Sequence, residues 1–285
     1  MAAIAIEYRE HATVLGKSGR LVGIVARPSD GAGDLPAIVI LNTGIVHRVG
    51  HHRMYVGMSR QLASAGHTVV RFDFSGIGDS VARHDDLSPI RACLSEIKEV
   101  LDGIADNYGV RRFVLVGLCS GADYAVLYGR GDPRVEGLVL MDPTLPPTAR
   151  YYFHYVMQRF ANLRSWFSVA TGRSGLLHLV ASHLLSQVEP KATDTERLAL
   201  QDLQFSPYLA QCYRAVAERG VRMLAVFTSV SVRHTYHKQI LDSFPEAAAG
   251  GALRLEYFPE SDHVFSTPSA RKRLSRLIES WLLIG

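Results

Sequence analysis

Short apolar runs alternate with stretches of helical spacing along this chain, a pattern that predicts strands separated by helices. Leu21 to Arg27 alternates like an early strand, and Pro28 to Pro36 is a turn-rich connector. Ala37 to Leu41 is apolar throughout, as expected of a strand covered on both faces. Tyr55 to Ala65 reads as a helix stopped by Gly66, and Thr68 to Phe74 as the next strand. Ser88 and Pro89 supply a helix N-cap and a first-turn proline. Behind them Ile90, Leu94, Ile97, Leu101 and Ile104 mark a helix face that must pack on the sheet. Phe113 to Val116, Leu138 to Met141, Val221 to Thr228 and Leu253 to Phe258 are further strands, and Leu274 to Ile284 is an amphipathic closing helix. The expected fold class is therefore α/β, a mostly parallel, doubly wound sheet.

One section breaks the rhythm. From Thr144 to Val216 no strand is visible, while Tyr151, Tyr152, Phe153, Tyr155, Phe160, Trp166 and Phe167 crowd together. Ordinary αβ connections are far shorter, so this span reads as a helical lid inserted before the last two strands, with an ordinary helical layer as the alternative. Residues 1–143 and 217–285 would form the core domain and 144–216 the lid.

Composition narrows the function. The chain has 285 residues, 47% of them hydrophobic, and a formal net charge of +4. Its basic residues are dispersed rather than striped, which argues against nucleic acid as a partner. No run of 18 apolar residues occurs, so no membrane span is expected. Met1 to Glu10 carries acids and lacks a basic-then-apolar leader pattern, which points to the cytoplasm. Cys93, Cys119 and Cys212 are too scattered for a disulfide framework or a zinc knuckle. The His47-Arg48-Val49-Gly50-His51-His52-Arg53 stretch lacks a carboxylate partner at ligand spacing. It reads instead as a positive rim, or as structural pairing such as Arg53 with Asp73.

The most informative segment is Phe113 to Ala122. β-formers end in Gly117-Leu118-Cys119-Ser120-Gly121 and a helical pattern follows at once. This is the layout of a sharp strand-to-helix turn that lifts a reactive side chain out of a sheet. Glycines two residues either side of the tip remove Cβ atoms that would meet neighbouring backbone. Cys119 stands at that tip and is the candidate nucleophile. A nucleophilic Ser120 would leave the glycines at the wrong spacing, and an inert core thiol is the bland alternative for Cys119. His263, after the last strand and before the closing helix, is the candidate base. Asp142, following the run Leu138 to Met141, is the candidate orienting acid, the alternatives being a helix or turn cap, or a cysteine–histidine pair that works without an acid. Oxyanion donors are expected from the backbone N–H of Ser120 and from that of Thr43 or Ile45 in the loop after Ala37 to Leu41.

Together the Gly117 to Gly121 turn, the Asn42-Thr43-Gly44 loop, the Arg71 to Ser80 stretch and the late Asp262-His263 pair resemble the α/β-hydrolase superfamily over nearly the whole chain. Leu41 to Arg48 and Gly117 to Gly121 are similar to bacterial serine-aminopeptidase-like hydrolases, some of which accompany polysaccharide or secondary-metabolite biosynthesis. Two departures stand out. Cysteine replaces the usual serine, as it does in dienelactone hydrolases and polyhydroxyalkanoate synthases. The usual acid position after the seventh strand holds Ser229 or Ser231.

The expectation is an acyl-transfer enzyme (thioesterase, esterase or acyltransferase) working through acyl-Cys119. Its partner would be a small-molecule or carrier-bound apolar acyl substrate, with no organic cofactor or metal. A non-catalytic protein of the same fold, binding a small apolar ligand, is the other class. Absence of the acid from its usual place favours that second class, and an alkylating probe on Cys119 separates the two.

Overall fold

The continuous apolar runs form the centre of an eight-stranded sheet. A computed structural model describes residues 6–30, 33–146, 207–230 and 238–284. In chain order the described elements begin β1 (Tyr8–Leu15), β2 (Leu21–Pro28), β3 (Ala37–Leu41), α1 (Met54–Ser64) and β4 (Val69–Phe72). They continue with α2 (Pro89–Tyr108), β5 (Phe113–Leu118), α3 (Ser120–Gly129), β6 (Val135–Met141) and α4 (Pro207–Glu218). The chain closes with β7 (Arg222–Val230), α5 (Gln239–Ser243), α6 (Pro245–Ala249), β8 (Leu253–Asp262) and α7 (Pro268–Leu282).

The sheet order is β1-β2-β4-β3-β5-β6-β7-β8. β1 and β2 pair antiparallel, as do β2 and β4. Every pair from β4–β3 through β7–β8 is parallel. β1 is the strand that hydropathy misses. Its sequence YREHATVL is polar and half exposed, as befits an edge strand that must resist pairing with another chain.

Successive side chains on a strand point to opposite faces, and the core divides accordingly. Ala37, Val39, Leu41, Phe113 and Leu115 join one cluster with α2, α3 and α4. Ile38, Ile40, Val114, Val116 and Leu118 join the other with α1 and α7. On α2 the buried residues include Ile90, Ile97, Val100, Leu101 and Ile104, the face that the spacing predicts. Ser88 holds the N-cap position of α2 without a side-chain capping bond, whereas Thr267 caps α7 by accepting the N–H of Ala270.

Of the span assigned to a lid, 147–206 lies outside the described residues. Residues of α4 at its C-terminal end pack into the core: Leu209, Cys212, Tyr213 and Val216 are buried in the first cluster. Among the described residues no helix is long and apolar enough to cross a membrane.

Candidate active site

Parallel strands end together at one sheet edge, so the loops after β3, β5, β6 and β8 converge there. Four loops bring four chemical parts to that edge.

The loop after β5 is the sharp turn. Cys119 has φ 57 and ψ −120, a region that costs a non-glycine residue roughly 1–3 kcal/mol. Backbone bonds hold it there. Its N–H donates to Met141 O at 2.9 Å, and its carbonyl accepts from Ala122 N at 3.0 Å and Asp123 N at 3.1 Å. The flanking glycines are a steric necessity. A Cβ on Gly117 would lie 2.2 Å from the carbonyl carbon of Gly121, and one on Gly121 would lie 2.6 Å from Asn42 O. Both obstacles are main chain and cannot swing aside. Gly121→Ala is therefore expected to destabilise the fold by about 1–3 kcal/mol, read as a lowered urea midpoint with unchanged m. An unshifted midpoint would mean that the turn is not as tight as its geometry.

The loop after β6 carries Asp142, fully buried and at φ 42. Its Oδ1 accepts Thr228 N at 2.9 Å, while its Oδ2 accepts Thr228 Oγ1 at 2.6 Å. The same Oδ2 lies 2.8 Å from His263 Nδ1, which comes from the loop after β8. Three donors on its two oxygens thus fix the direction of the Asp142 carboxylate. Of the two serines expected at the usual acid position, Ser229 lies at the end of β7, where its Oγ donates to Ser261 O at 2.9 Å and ties β7 to β8; Ser231 lies outside the described residues.

His263 joins two partners. Its hydrogen bond to Asp142, then its contact with the Cys119 thiol, raise its pKa from 6.5 to about 9 against the opposing effect of burial. Because the folded value exceeds the unfolded one, the stabilisation is complete below about pH 6.5. It is lost as pH rises through about 9. Wild-type protein should consequently lose more Tm between those two pH values than His263→Gln does. Parallel Tm profiles would refute the shift.

The loop after β3 supplies the remaining part. Asn42 Nδ2 donates to Val46 O at 2.9 Å and to Asp73 Oδ1 at 3.2 Å, while Asn42 Oδ1 accepts Phe74 N at 2.9 Å. Thr43 Oγ1 is 2.7 Å from Tyr55 Oη and donates to Leu118 O at 3.2 Å. Val46 N donates to Thr43 O at 2.9 Å, closing a turn over Gly44 at φ 53. Of the loop amides, the one bonded to the β5–α3 turn belongs to Gly44. Its N–H donates to Ser120 Oγ at 2.7 Å. The positive φ that glycine tolerates was the available signal for it. The Ile45 side chain is 92% exposed. Ser120 opens α3, where its own N–H has no intrahelical acceptor.

Asp73 is paired with Arg48, not Arg53: Arg48 bonds it through backbone and guanidinium and also reaches Asp79. Arg48 is the nearer partner because the loop turn brings its own amide to the same carboxylate. His51, lowered from 6.5 by burial, with His263 and His52 adding to the effect, is not a fixed cation.

A family model described as serine aminopeptidase, S33, matches residues 36–203. Solved structures share the fold. A Klebsiella pneumoniae protein provisionally described as a dienelactone hydrolase has a TM-score of 0.59 at 15% identity, covering 97% of this chain and 99% of that one. An esterase from Pyrococcus furiosus has a TM-score of 0.58 at 15% identity, covering 97% and 90%. An α/β serine hydrolase homologue from Coxiella burnetii has a TM-score of 0.57 at 13% identity, covering 95% and 96%. No curated protein sequence matches the chain.

Proposed function

The chain belongs to the serine aminopeptidase S33 family of α/β hydrolases, and from that premise we propose that it transfers acyl groups through a thioester on Cys119. The observation that carries this reading is the 2.8 Å bond from Asp142 to His263 at the same sheet edge where the turn presents Cys119, with the thiol among the causes that raise the His263 pKa.

In the proposed reaction His263 takes the thiol proton, or already holds it as an imidazolium paired with the thiolate, as sulfur attacks the acyl carbonyl carbon. The carbonyl oxygen becomes an oxyanion beside the Ser120 N–H. The intermediate collapses, the bond to the leaving alcohol or thiol breaks, and His263 returns the proton to that group. Water or another acceptor then attacks acyl-Cys119, with His263 removing its proton; the C–S bond breaks, the acyl product leaves and His263 returns the proton to sulfur. Asp142, through Nδ1, keeps Nε2 directed at sulfur and stabilises the imidazolium. The hydrolase and esterase relatives support acyl chemistry as the reaction class. The apolar, carrier-bound or small acyl substrate is proposed from the aromatic-rich sequence of the span 144–216.

Intact-mass spectrometry after incubation with acyl thioesters and esters tests the proposal. A mass increase equal to the acyl group, mapped to Cys119 and discharged with time, is the expected result. No adduct with any donor, together with an ordinary iodoacetamide rate at Cys119, would favour the ligand-binding reading instead.

A further inference from the structure

Ser120 has a second asset besides its amide. The residue is 6% exposed, and its Oγ accepts the Gly44 N–H at 2.7 Å. That leaves the hydroxyl proton, which bonds to no acceptor among the described residues. A nearly buried hydroxyl with an unused proton, one residue from the proposed nucleophile, is uncommon, because such groups normally find acceptors. The Gly44 N–H is already engaged by Ser120 Oγ, so the hydroxyl rather than that amide has a hydrogen left to offer a carbonyl oxygen.

We propose that the Ser120 side chain is itself an oxyanion donor, relaying the Gly44 amide to the acyl oxygen. Gly44 N–H donates to Oγ and polarises the hydroxyl, and Oγ–H donates to the oxygen on which negative charge develops. The Ser120 N–H supplies the second bond, so one residue contributes both donors. No proton changes owner in this step: Oγ–H remains covalent throughout. The inference rests on the acyl-Cys119 reading and deepens it. Thr43, fastened through Oγ1 to Tyr55 and Leu118, and the turn closed by Val46 N hold Gly44 where the relay needs it.

The test compares wild type, Ser120→Ala and Ser120→Thr with an acyl donor that labels Cys119. Acylation kcat and KM, the iodoacetamide alkylation rate and Tm are all measured. Alkylation at sulfur develops no oxyanion, so it reports on Cys119 and His263 alone. Ser120→Ala should lower acylation kcat by about 10²-fold with KM and alkylation rate little changed. Ser120→Thr, which keeps a hydroxyl, should recover most of the loss. Unchanged or faster acylation by Ser120→Ala would overturn the relay, since the uncovered Gly44 amide would then be serving directly. A parallel fall in acylation and alkylation would overturn it too, showing that Ser120 merely supports the turn. Failure of the wild type to form acyl-Cys119 is seen before any variant is compared and would remove the acyl-transfer reading along with the relay.

Discussion

Cys119→Ala is expected to lower kcat/KM for any acyl donor that labels the wild type by about 10³-fold or more. The expectation follows from the chemistry of the tip position. Everything else at this edge can bind a carbonyl, polarise it or move a proton, but in the proposed reaction only the sulfur forms the bond that divides one difficult step into two. The substitution is also clean in structural terms. Alanine keeps the Cβ, so it meets the same strain at φ 57 and ψ −120, and the backbone bonds to Met141, Ala122 and Asp123 do not involve the side chain. Tm should hence change little while turnover is lost. Cys119→Ser is the informative companion. It restores a nucleophile of the kind usual in this superfamily, but a hydroxyl gives up its proton far less readily than a thiol, so only a fraction of activity should return. Turnover by Cys119→Ala equal to wild type would exclude a covalent intermediate on this residue.

The parts of this molecule legible in its sequence are those where one local pattern has one physical meaning. Ala37 to Leu41 and Phe113 to Leu118 are apolar on both faces because helices cover both faces of the sheet, and their placement at its centre follows. The Gly117 to Gly121 spacing is legible for a similar reason, since backbone contacts near 2.2–2.6 Å from a Cβ leave no alternative residue. Position in chain order was enough to place His263 and Asp142 at the same edge as Cys119, because parallel strands deliver their following loops to one side. Elements whose pattern has several meanings were harder to read. The polar β1 looks like a loop until its partner Leu21–Pro28 is present to pair with it. The bond from the Gly44 amide to Ser120 was not legible, because which amide of a turn meets a neighbouring loop depends on dihedrals set by long-range bonds. One of those is Asn42 Oδ1 accepting Phe74 N. Arg48 and Arg53 are equivalent as residue types; what separates them is the fold bringing Asp73 and Asp79 to the first.

The second large effect is expected at Asp142. Asp142→Asn nearly preserves shape, and asparagine tolerates the positive φ of 42 better than most residues. It cannot preserve the bonding. The amide oxygen can still accept Thr228 N, but the amide nitrogen then faces both Thr228 Oγ1 and His263 Nδ1, where the carboxylate had been an acceptor. His263 must turn its ring or adopt the tautomer that directs a hydrogen toward sulfur, which disables it as the base. Acylation of Cys119 should fall about 10³- to 10⁴-fold. The imidazole should also lose the largest cause of its rise, so its titration moves from about 9 back toward 6.5. Both readouts are needed. A loss of activity alone could come from a disturbed β6–β7 edge, because Asp142 is also a buried anchor for Thr228. Thr228→Val separates the two roles by removing one anchor bond and leaving the carboxylate on His263. That variant should keep a His263 titration well above 6.5, whereas Asp142→Asn should not. Full acylation by Asp142→Asn, with the His263 titration still near 9, would show that the cysteine–histidine pair works without an acid.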